Sequence, residues 1–254
     1  MPKGVQADLT GTMTAVLYRK LAGFYAVADP VQRAFDEICT REVSFGRQHT
    51  IIEAGQRYDA VYLLAEGWVT RYKLLPGGER QIINFALPGD FLCFNATLFN
   101  RSDHFLTTKT RVRAYQIERQ PFGKLLTLDP ALAVALTWAN ANEESMLAER
   151  LASLGRRSAR ERVAHLFCEL WRRLSLLELT EDDRFPLPIT QEDLADTLGL
   201  SAVHVNRTLR QLRNEGLVEL GGNSVRVLSM KGLEAAAGFE DGYLHFTEAA
   251  ARLR

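Results

Sequence analysis

The stretch from residue 190 to residue 217, TQEDLADTLGLSAVHVNRTLRQLRNEGL, decides the fold of this chain. Thr190 followed by an acidic first turn is a typical helix start, and Gly199 ends that helix. Ser201 then caps a second helix that ends at the next glycine. Two short helices joined by a tight turn with a glycine form a helix-turn-helix, which we predict at about residues 190–213.

A β-hairpin is predicted directly after the second helix. Leu217–Leu220 and Val225–Leu228 are short strand-like runs, and the glycine-rich segment 221–224 between them suits a tight turn. Such a hairpin is the wing of a winged helix. We therefore place a winged helix-turn-helix domain at residues 156–230, and residues 231–254 form a C-terminal extension.

The predicted second helix carries a polar and basic outer face. Between residues 201 and 231, five Lys and Arg residues stand against two Glu residues, although the whole chain has 31 basic and 31 acidic residues. A local basic patch on a helix-turn-helix indicates double-stranded DNA as the partner. We expect the first turns of this helix to contact bases and neighbouring groups to contact the DNA backbone. The predicted base-reading residues are Val203, His204, Asn206 and Arg207, and the predicted backbone contacts are Thr190, Gln191, Ser201 and Arg210.

A single long helix is predicted between the two halves of the chain. Asp129-Pro130 is a typical cap and first helical residue, and neither glycine nor proline follows until Gly155. Apolar residues recur about every 3.7 residues, which places them on one face of a helix at residues 129–155. Such a helix is too long to lie wholly on a compact neighbour, so we favour pairing with a second chain over packing on its own domain. The predicted homodimer interface consists of Leu132, Leu136, Ala139, Leu147, Leu151 and Leu154.

The preceding region, residues 24–128, has the texture of a β domain. After a short helix predicted at residues 31–40, β-rich runs alternate with Gly and Pro from about residue 42 to residue 118. This spacing predicts an antiparallel sandwich or barrel of roughly eight strands, so the whole chain is α+β. The candidate strands are Thr50–Ile52, Ala60–Ala65, Trp68–Leu75, Gln81–Ala86 and Ala114–Ile117.

Composition and missing motifs exclude other classes. The scattered cysteines Cys39, Cys93 and Cys168 argue against disulfides and against a zinc or iron–sulfur site, so we predict no cofactor and no metal. No apolar run is long enough to span a membrane, and we expect a cytoplasmic protein with no membrane partner. The chain lacks a nucleophile elbow, a phosphate loop and a dinucleotide fingerprint, so we predict no enzyme and no catalytic residue. Ser102-Asp103-His104 is interpreted as a turn.

Three stretches of the chain match a family pattern: Glu66–Val69, Pro88–Phe91 and Ile189–Leu209. They resemble the superfamily of catabolite-activator and fumarate-nitrate regulators (CRP/FNR). The resemblance implies a cyclic-nucleotide-binding-type antiparallel β-barrel of jelly-roll type, a long dimerisation helix and a C-terminal winged helix-turn-helix. It also implies a transcription regulator that binds a pseudo-palindromic operator as a homodimer and contacts RNA polymerase. The alternative is a ligand- or cyclic-nucleotide-binding sensor module whose main role is not DNA binding.

The resemblance also assigns roles to single positions. Arg207 matches the arginine that family members direct at guanine, whereas Val203 stands where a glutamate is usual. Members that bind cyclic AMP carry Gly-Glu at Cys93-Phe94 and an arginine near Ser102-Asp103, where an aspartate facing a phosphate would repel it. We therefore expect no tight cyclic AMP binding, and the effector is unknown. The iron–sulfur branch needs several N-terminal cysteines, which Cys39 alone does not supply. The candidate effector-pocket residues are Cys93, Asn95 and His104.

Overall fold

The structure is a computed structural model that describes residues 17, 20, 29–118, 120, 124, 127 and 130–246. It has the predicted α+β organisation, with a β domain followed by two longer helices and a winged helix. The helices are α1 (Asp29–Ile38), α2 (Pro130–Arg156), α3 (Ala159–Leu176), α4 (Gln191–Leu198), α5 (Ala202–Asn214) and α6 (Met230–Ala237). The strands are β1 (Arg41–Phe45), β2 (Thr50–Ile52), β3 (Ala60–Glu66), β4 (Val69–Leu74), β5 (Arg80–Ala86), β6 (Phe91–Leu92), β7 (Phe105–Thr108), β8 (Val112–Glu118), β9 (Arg184–Pro186), β10 (Val218–Gly221) and β11 (Ser224–Val227).

The β domain is a jelly roll. Strands β1 to β8 form two antiparallel four-stranded sheets, ordered β1-β8-β3-β6 and β2-β7-β4-β5. The five predicted strands are confirmed with bounds shifted by at most two residues, and the helix predicted at 31–40 is α1. β1, β6 and β7 have no counterpart in the prediction. β1 is mostly exposed, β6 has two residues and β7 has four, so none of them produces a clear apolar run.

The turn from β3 to β4 depends on a glycine. Gly67 has a φ angle of +96°, and a Cβ atom there would lie 2.4 Å from the backbone oxygen of Arg111. Only glycine tolerates both the left-handed backbone and this close approach. Gly67 therefore lets the turn after β3 lie against the turn between β7 and β8.

The long helix α2 has 27 residues and a length of about 40 Å. It extends one residue beyond Gly155, which the helix accommodates instead of ending there. The N-terminal half of α2 packs on the β domain, because Leu136 is buried in the same cluster as Val61, Leu106 and Val112. Part of the apolar face of α2 is thus covered within its own chain.

The winged helix contains α4, α5 and a three-stranded sheet of order β10-β11-β9. The predicted hairpin is confirmed as β10 and β11, and its turn residues Gly222 and Asn223 have φ angles of +58° and +60°. Two consecutive positive φ angles match a type I′ hairpin turn. β9 pairs with β11 and was not predicted, because a three-residue strand that ends in Pro186 lacks a strand pattern.

The β domain and the winged helix share one apolar core. Trp68, Ile82, Phe85 and Leu87 of the β domain pack in one cluster with buried residues of α3, α4 and α5. Arg173 of α3 reinforces this contact, since its Nη2 donates to the backbone oxygen of Phe85 at 3.0 Å. The winged helix therefore packs directly against the β domain.

The chain after the wing returns to the long helix. α6 is followed by a 3-10 turn at Asp241–Leu244, and the Asn142 side chain in α2 donates to the backbone oxygen of Leu244. Residues 247–254 of the predicted extension lie outside the described residues. Among the helices that the structure describes, none is long and apolar enough to cross a membrane.

Candidate nucleic-acid interface

The first helix of the helix-turn-helix begins with a reciprocal cap. The Thr190 hydroxyl accepts the N–H of Asp193 at 3.1 Å, and the Asp193 carboxylate accepts the N–H of Thr190 at 2.8 Å. The Thr190 hydroxyl is thereby engaged within the chain. Because the Asp193 N–H is engaged by the cap, the N–H groups of Gln191 and Glu192 are the donors of the first helical turn that face an anion at this end of α4.

The second helix, α5, presents its first turns to solvent. The Ser201 hydroxyl caps it by accepting the N–H of His204 at 3.2 Å, and Val205 and Leu209 are buried in the domain core. Val203 is 81% exposed on the opposite face. An exposed valine adds nothing to the core of its own domain, so its apolar surface is available to a partner.

Several of the predicted base-reading and backbone residues lie close together at the surface. Arg207 is exposed near Val203, and Asn206 is half-buried beside it. The side-chain nitrogen of Asn206 donates to the side-chain oxygen of Gln191 at 3.0 Å, which joins α5 to the start of α4. The structure thus brings together residues that were predicted to read bases and residues that were predicted to contact phosphates.

A groove separates α5 from the wing. Asn206, Arg210 and Arg213 line its helix side, and Asn223 and Ser224 line the wing side. Arg213 belongs to the predicted basic face of this helix, but the prediction assigns it no DNA contact. Arginine forks beside such a groove suit contacts to phosphate oxygens.

Two arginines of α3 bind the C-terminal ends of the two helices of the helix-turn-helix. Arg160 forms a two-pronged ion pair with Glu215 at the end of α5, with nitrogen–oxygen distances of 2.6 and 3.1 Å. Arg162 donates to the backbone oxygen of Leu198 at the end of α4, at 2.9 Å. Sequence reasoning missed these contacts because they join residues 55 and 36 positions apart.

The predicted dimer residues do not share one exposed face. Leu136 is buried in the β domain and Ala139 packs against it, while Leu147 and Leu154 are half-buried. Leu151 is 73% exposed. The Leu132 side chain lies outside the described part of the chain. The C-terminal half of the predicted stripe is the part with apolar surface left for a partner.

Two of the predicted effector residues are buried in the β domain. Burial raises the pKa of the Cys93 thiol to about 12, and burial also lowers the pKa of His104. Asn95 is half-buried in the 3-10 turn Phe94–Thr97. Arg71, which the prediction lacks, acts on both pKa values through its charge, and its Nη1 lies 2.8 Å from Glu143 Oε1 in α2.

Asp103 lies at the surface of the β domain, where its carboxylate is paired within the chain. The Asp103 side chain is 72% exposed and forms ion pairs with Lys73 at 3.0 Å and His104 at 2.8 Å. Hydrogen bonds from His104 and Lys73 lower the pKa of Asp103 to about 2. The segment bends ahead of β7, and the Ser102 hydroxyl donates to the backbone oxygen of His104 at 2.7 Å.

A cavity lies between the β domain and α2. Its lining includes Asn84, Phe94, Asn140 and Glu143, and it includes none of the three predicted effector residues. The Asn84 side chain donates to Glu143 Oε1, the same atom that pairs with Arg71. Within the described ranges, no group of His, Cys, Asp and Glu could hold a metal ion.

Fold and surface together define a class: winged-helix DNA-binding proteins that carry a cyclic-nucleotide-type jelly roll. The family described as Crp-like helix-turn-helix domain matches residues 161–236, and the family described as cyclic nucleotide-binding domain matches residues 42–129. The chain belongs to the CRP/FNR family of transcription regulators.

Curated relatives and solved structures agree with this membership. The nitrogen fixation regulation protein FixK of Bradyrhizobium diazoefficiens is 34% identical over 78% of this chain and 82% of its own length. The transcriptional activatory protein AadR of Rhodopseudomonas palustris is 36% identical over 79% of this chain and 83% of its own. The structure of FixK2 from Bradyrhizobium japonicum has a TM-score of 0.72 and 27% identity, and it covers 79% of this chain and 98% of its own. The chain is accordingly a DNA-binding transcription regulator, and its relatives are regulators and not enzymes.

Proposed function

We propose that the chain acts as a homodimer on a pseudo-palindromic operator, with one α5 in the major groove of each half-site. The exposed first turns of α5 support this proposal, since Val203 and Arg207 face solvent while Gln191 supports Asn206 between them. Arg210 and Arg213 border the groove beside the wing and supply phosphate contacts.

The proposed dimer seam follows the exposed face of α2. Exposed positions on this helix alternate in steps of three and four, which is the heptad spacing of paired helices. This row, and not the inward pair Leu136 and Ala139, is the proposed contact with the second chain, and Leu147 lies at its edge. The positions of this row are Val134, Thr137, Ala141, Glu144, Ala148, Leu151 and Gly155, and all of them are exposed.

Selection of genomic DNA fragments with the purified protein tests the proposal. We expect enrichment of one motif with two inverted half-sites, each of which contains a guanine for Arg207. A motif with a single half-site, or binding by a monomer in light scattering, would contradict the dimeric arrangement. Equal recovery of all fragments would contradict operator recognition itself.

The proposal includes a sensor domain that does not bind cyclic AMP tightly. Phe94 stands where family members that bind this nucleotide carry a glutamate, and Arg71 is already paired with Glu143 at 2.8 Å. A ligand phosphate would have to compete with that carboxylate for the guanidinium. Titration calorimetry should give no heat of binding at micromolar cyclic AMP, and a low-micromolar dissociation constant would refute this part.

We further propose that the DNA-bound dimer contacts RNA polymerase and activates transcription. The name of AadR describes it as activatory, and FnrL of Cereibacter sphaeroides is named a transcriptional activator. Transcription with purified polymerase from a promoter that carries the selected operator should increase when the protein is added. A decrease would show that the protein represses this promoter.

A further inference from the structure

A buried ion cluster joins the β domain to the first helix of the helix-turn-helix. Asp193 of α4 is 1% exposed, and its carboxylate accepts from Lys109 at 2.7 Å and from Arg80 at 2.9 Å. Arg80 also pairs with Asp196, one turn further along α4, at 2.7 Å. Both cations belong to the β domain and both carboxylates belong to α4.

The ion cluster includes the residues that cap the start of α4. The Asp193 carboxylate that receives the two cations also accepts the Thr190 N–H and hydroxyl, so one group forms the helix cap and the contact between domains. Burial opposes its ionisation, yet hydrogen bonds from Lys109 and Thr190 hold the pKa of Asp193 below its usual value. Without these partners, a buried carboxylate would strongly destabilise the folded state.

Nearby contacts fix the two cations in the β domain. The backbone N–H of Lys109 donates to the backbone oxygen of Trp68 at 2.8 Å, and the Arg80 guanidinium lies over the Tyr72 ring at 5.5 Å. Gln81, next to Arg80, reaches the backbone oxygen of Thr197 in α4. Both cations therefore have contacts within the β domain in addition to their carboxylate partners in α4.

We propose that Lys109 and Arg80 are positioning residues for DNA binding, which hold α4 and hence α5 at a fixed angle to the β domain. This inference rests on the proposed function, because two α5 helices can match two half-sites only if each has a fixed place in the dimer. Neither side chain touches DNA in this scheme. Their effect is on the distance between half-sites that the dimer accepts.

The dependence of DNA affinity on half-site spacing distinguishes a positioning role from a general effect on protein stability. Loosening the cluster should weaken binding to the preferred operator and flatten the preference among spacings, while the base preference within each half-site stays the same. A variant that only loses stability would bind every operator less well, by the same factor. The two mechanisms therefore differ in the ratio between the affinities for operators of different half-site spacing.

The experiment uses the full chain with Lys109→Met and, as a milder second variant, Arg80→Met. Lys73→Met is the matched control, because Lys73 is also a β-domain lysine with an ion pair but its partner Asp103 lies within the same domain. Affinity is measured for the selected operator, for versions with half-sites one base pair closer or farther apart, and for a single half-site. Thermal unfolding and light scattering confirm a folded dimer.

The wild type and Lys73→Met should prefer one spacing, and Lys109→Met should lose about tenfold in affinity at that spacing, near 1.4 kcal/mol. Its affinities for the three spacings should converge. If Lys109→Met and Arg80→Met keep the wild-type ratio between spacings, the inference is overturned while the proposed function stands. If the wild type itself shows no preference between paired and single half-sites, the proposed function fails first.

Discussion

Arg207 and Arg210 lie on the same exposed face of α5 but are expected to act differently. Arg207 falls in the first turns, where a guanidinium can donate two hydrogen bonds to a guanine, whereas Arg210 borders the groove beside the wing. Arg207→Ala should cost about 1–3 kcal/mol per half-site and relax one base position. Arg210→Ala should weaken binding to all sequences more evenly. Titration of both variants against operators with single-base changes distinguishes them, and a uniform loss with Arg207→Ala would exclude base reading by that residue.

Val203 should change the preferred base pair at one position of the half-site, compared with family members that carry a glutamate there. An exposed valine cannot accept a hydrogen bond from cytosine, but it can pack on the methyl group of thymine. Val203→Glu should therefore shift the preferred base pair at one position toward cytosine and leave the others unchanged. Ala202→Glu, at the exposed neighbouring position, is the control. Selection of random operators with each variant measures the shift, and an unchanged motif for Val203→Glu would remove this residue from base reading.

His165 should make stability depend on pH. Burial, followed by the charge of Arg157, lowers the pKa of His165 to about 4, although Glu169 and Glu149 oppose this shift and Tyr243 stacks on the ring. An unfolded histidine titrates near 6.5, so below that pH the unfolded chain binds a proton that the folded chain does not. The free energy of unfolding should therefore fall between about pH 6.5 and pH 4, by up to about 3 kcal/mol.

Urea unfolding at about pH 7 and pH 5 measures this effect. His165→Gln should reduce the difference between the two conditions. His49→Gln, at an exposed histidine of the β domain, is the matched control and should retain it. Should His165→Gln show the full wild-type difference, another group is responsible for the pH dependence.

At the level of elements, α2 offers the sharpest test of assembly. Leu151 is exposed in the single chain, so Leu151→Asp should leave the protomer folded and oppose only the pairing of two helices. A charge buried against its symmetry mate costs several kcal/mol, and Leu147→Asp should act in the same direction. Leu179→Asp, at an exposed leucine outside α2, is the control. Light scattering that shows an intact dimer with Leu151→Asp would rule out the proposed seam.

The elements also show how far the sequence is informative. Helix caps and glycine stops are local signals, so the bounds of α4, α5 and the wing hairpin could be predicted closely. β1 could not, because two apolar residues, Val43 and Phe45, are too few to stand out as a strand beside Arg41, Glu42 and Ser44. The stripe on α2 was recognisable as one helical face, but periodicity does not tell which partner covers it, and Leu136 turns toward its own β domain. Lys109 and Asp193 are 84 positions apart, and nothing in either local sequence indicates the other.

At the level of the whole molecule, the shared core should make unfolding a single event. Phe85 is buried in a cluster that contains residues of the β domain and of the winged helix. Phe85→Ala should therefore lower the free energy of unfolding by about 3–5 kcal/mol and shift the unfolding of both parts together. Phe99→Ala, at an exposed ring of the β domain, is the control. Separate transitions for tryptophan fluorescence and helical circular dichroism would contradict a common core.

The same shared core limits how this regulator can be diversified by recombination. A chimera that joined its winged helix to a foreign sensor would lack Trp68, Ile82 and Phe85, the β-domain residues that pack against the winged helix. The apolar surfaces that normally face each other across this contact would be exposed in such a hybrid, and exposed apolar patches favour aggregation. New specificities are thus more accessible by exchanging single side chains on α5 than by shuffling whole modules.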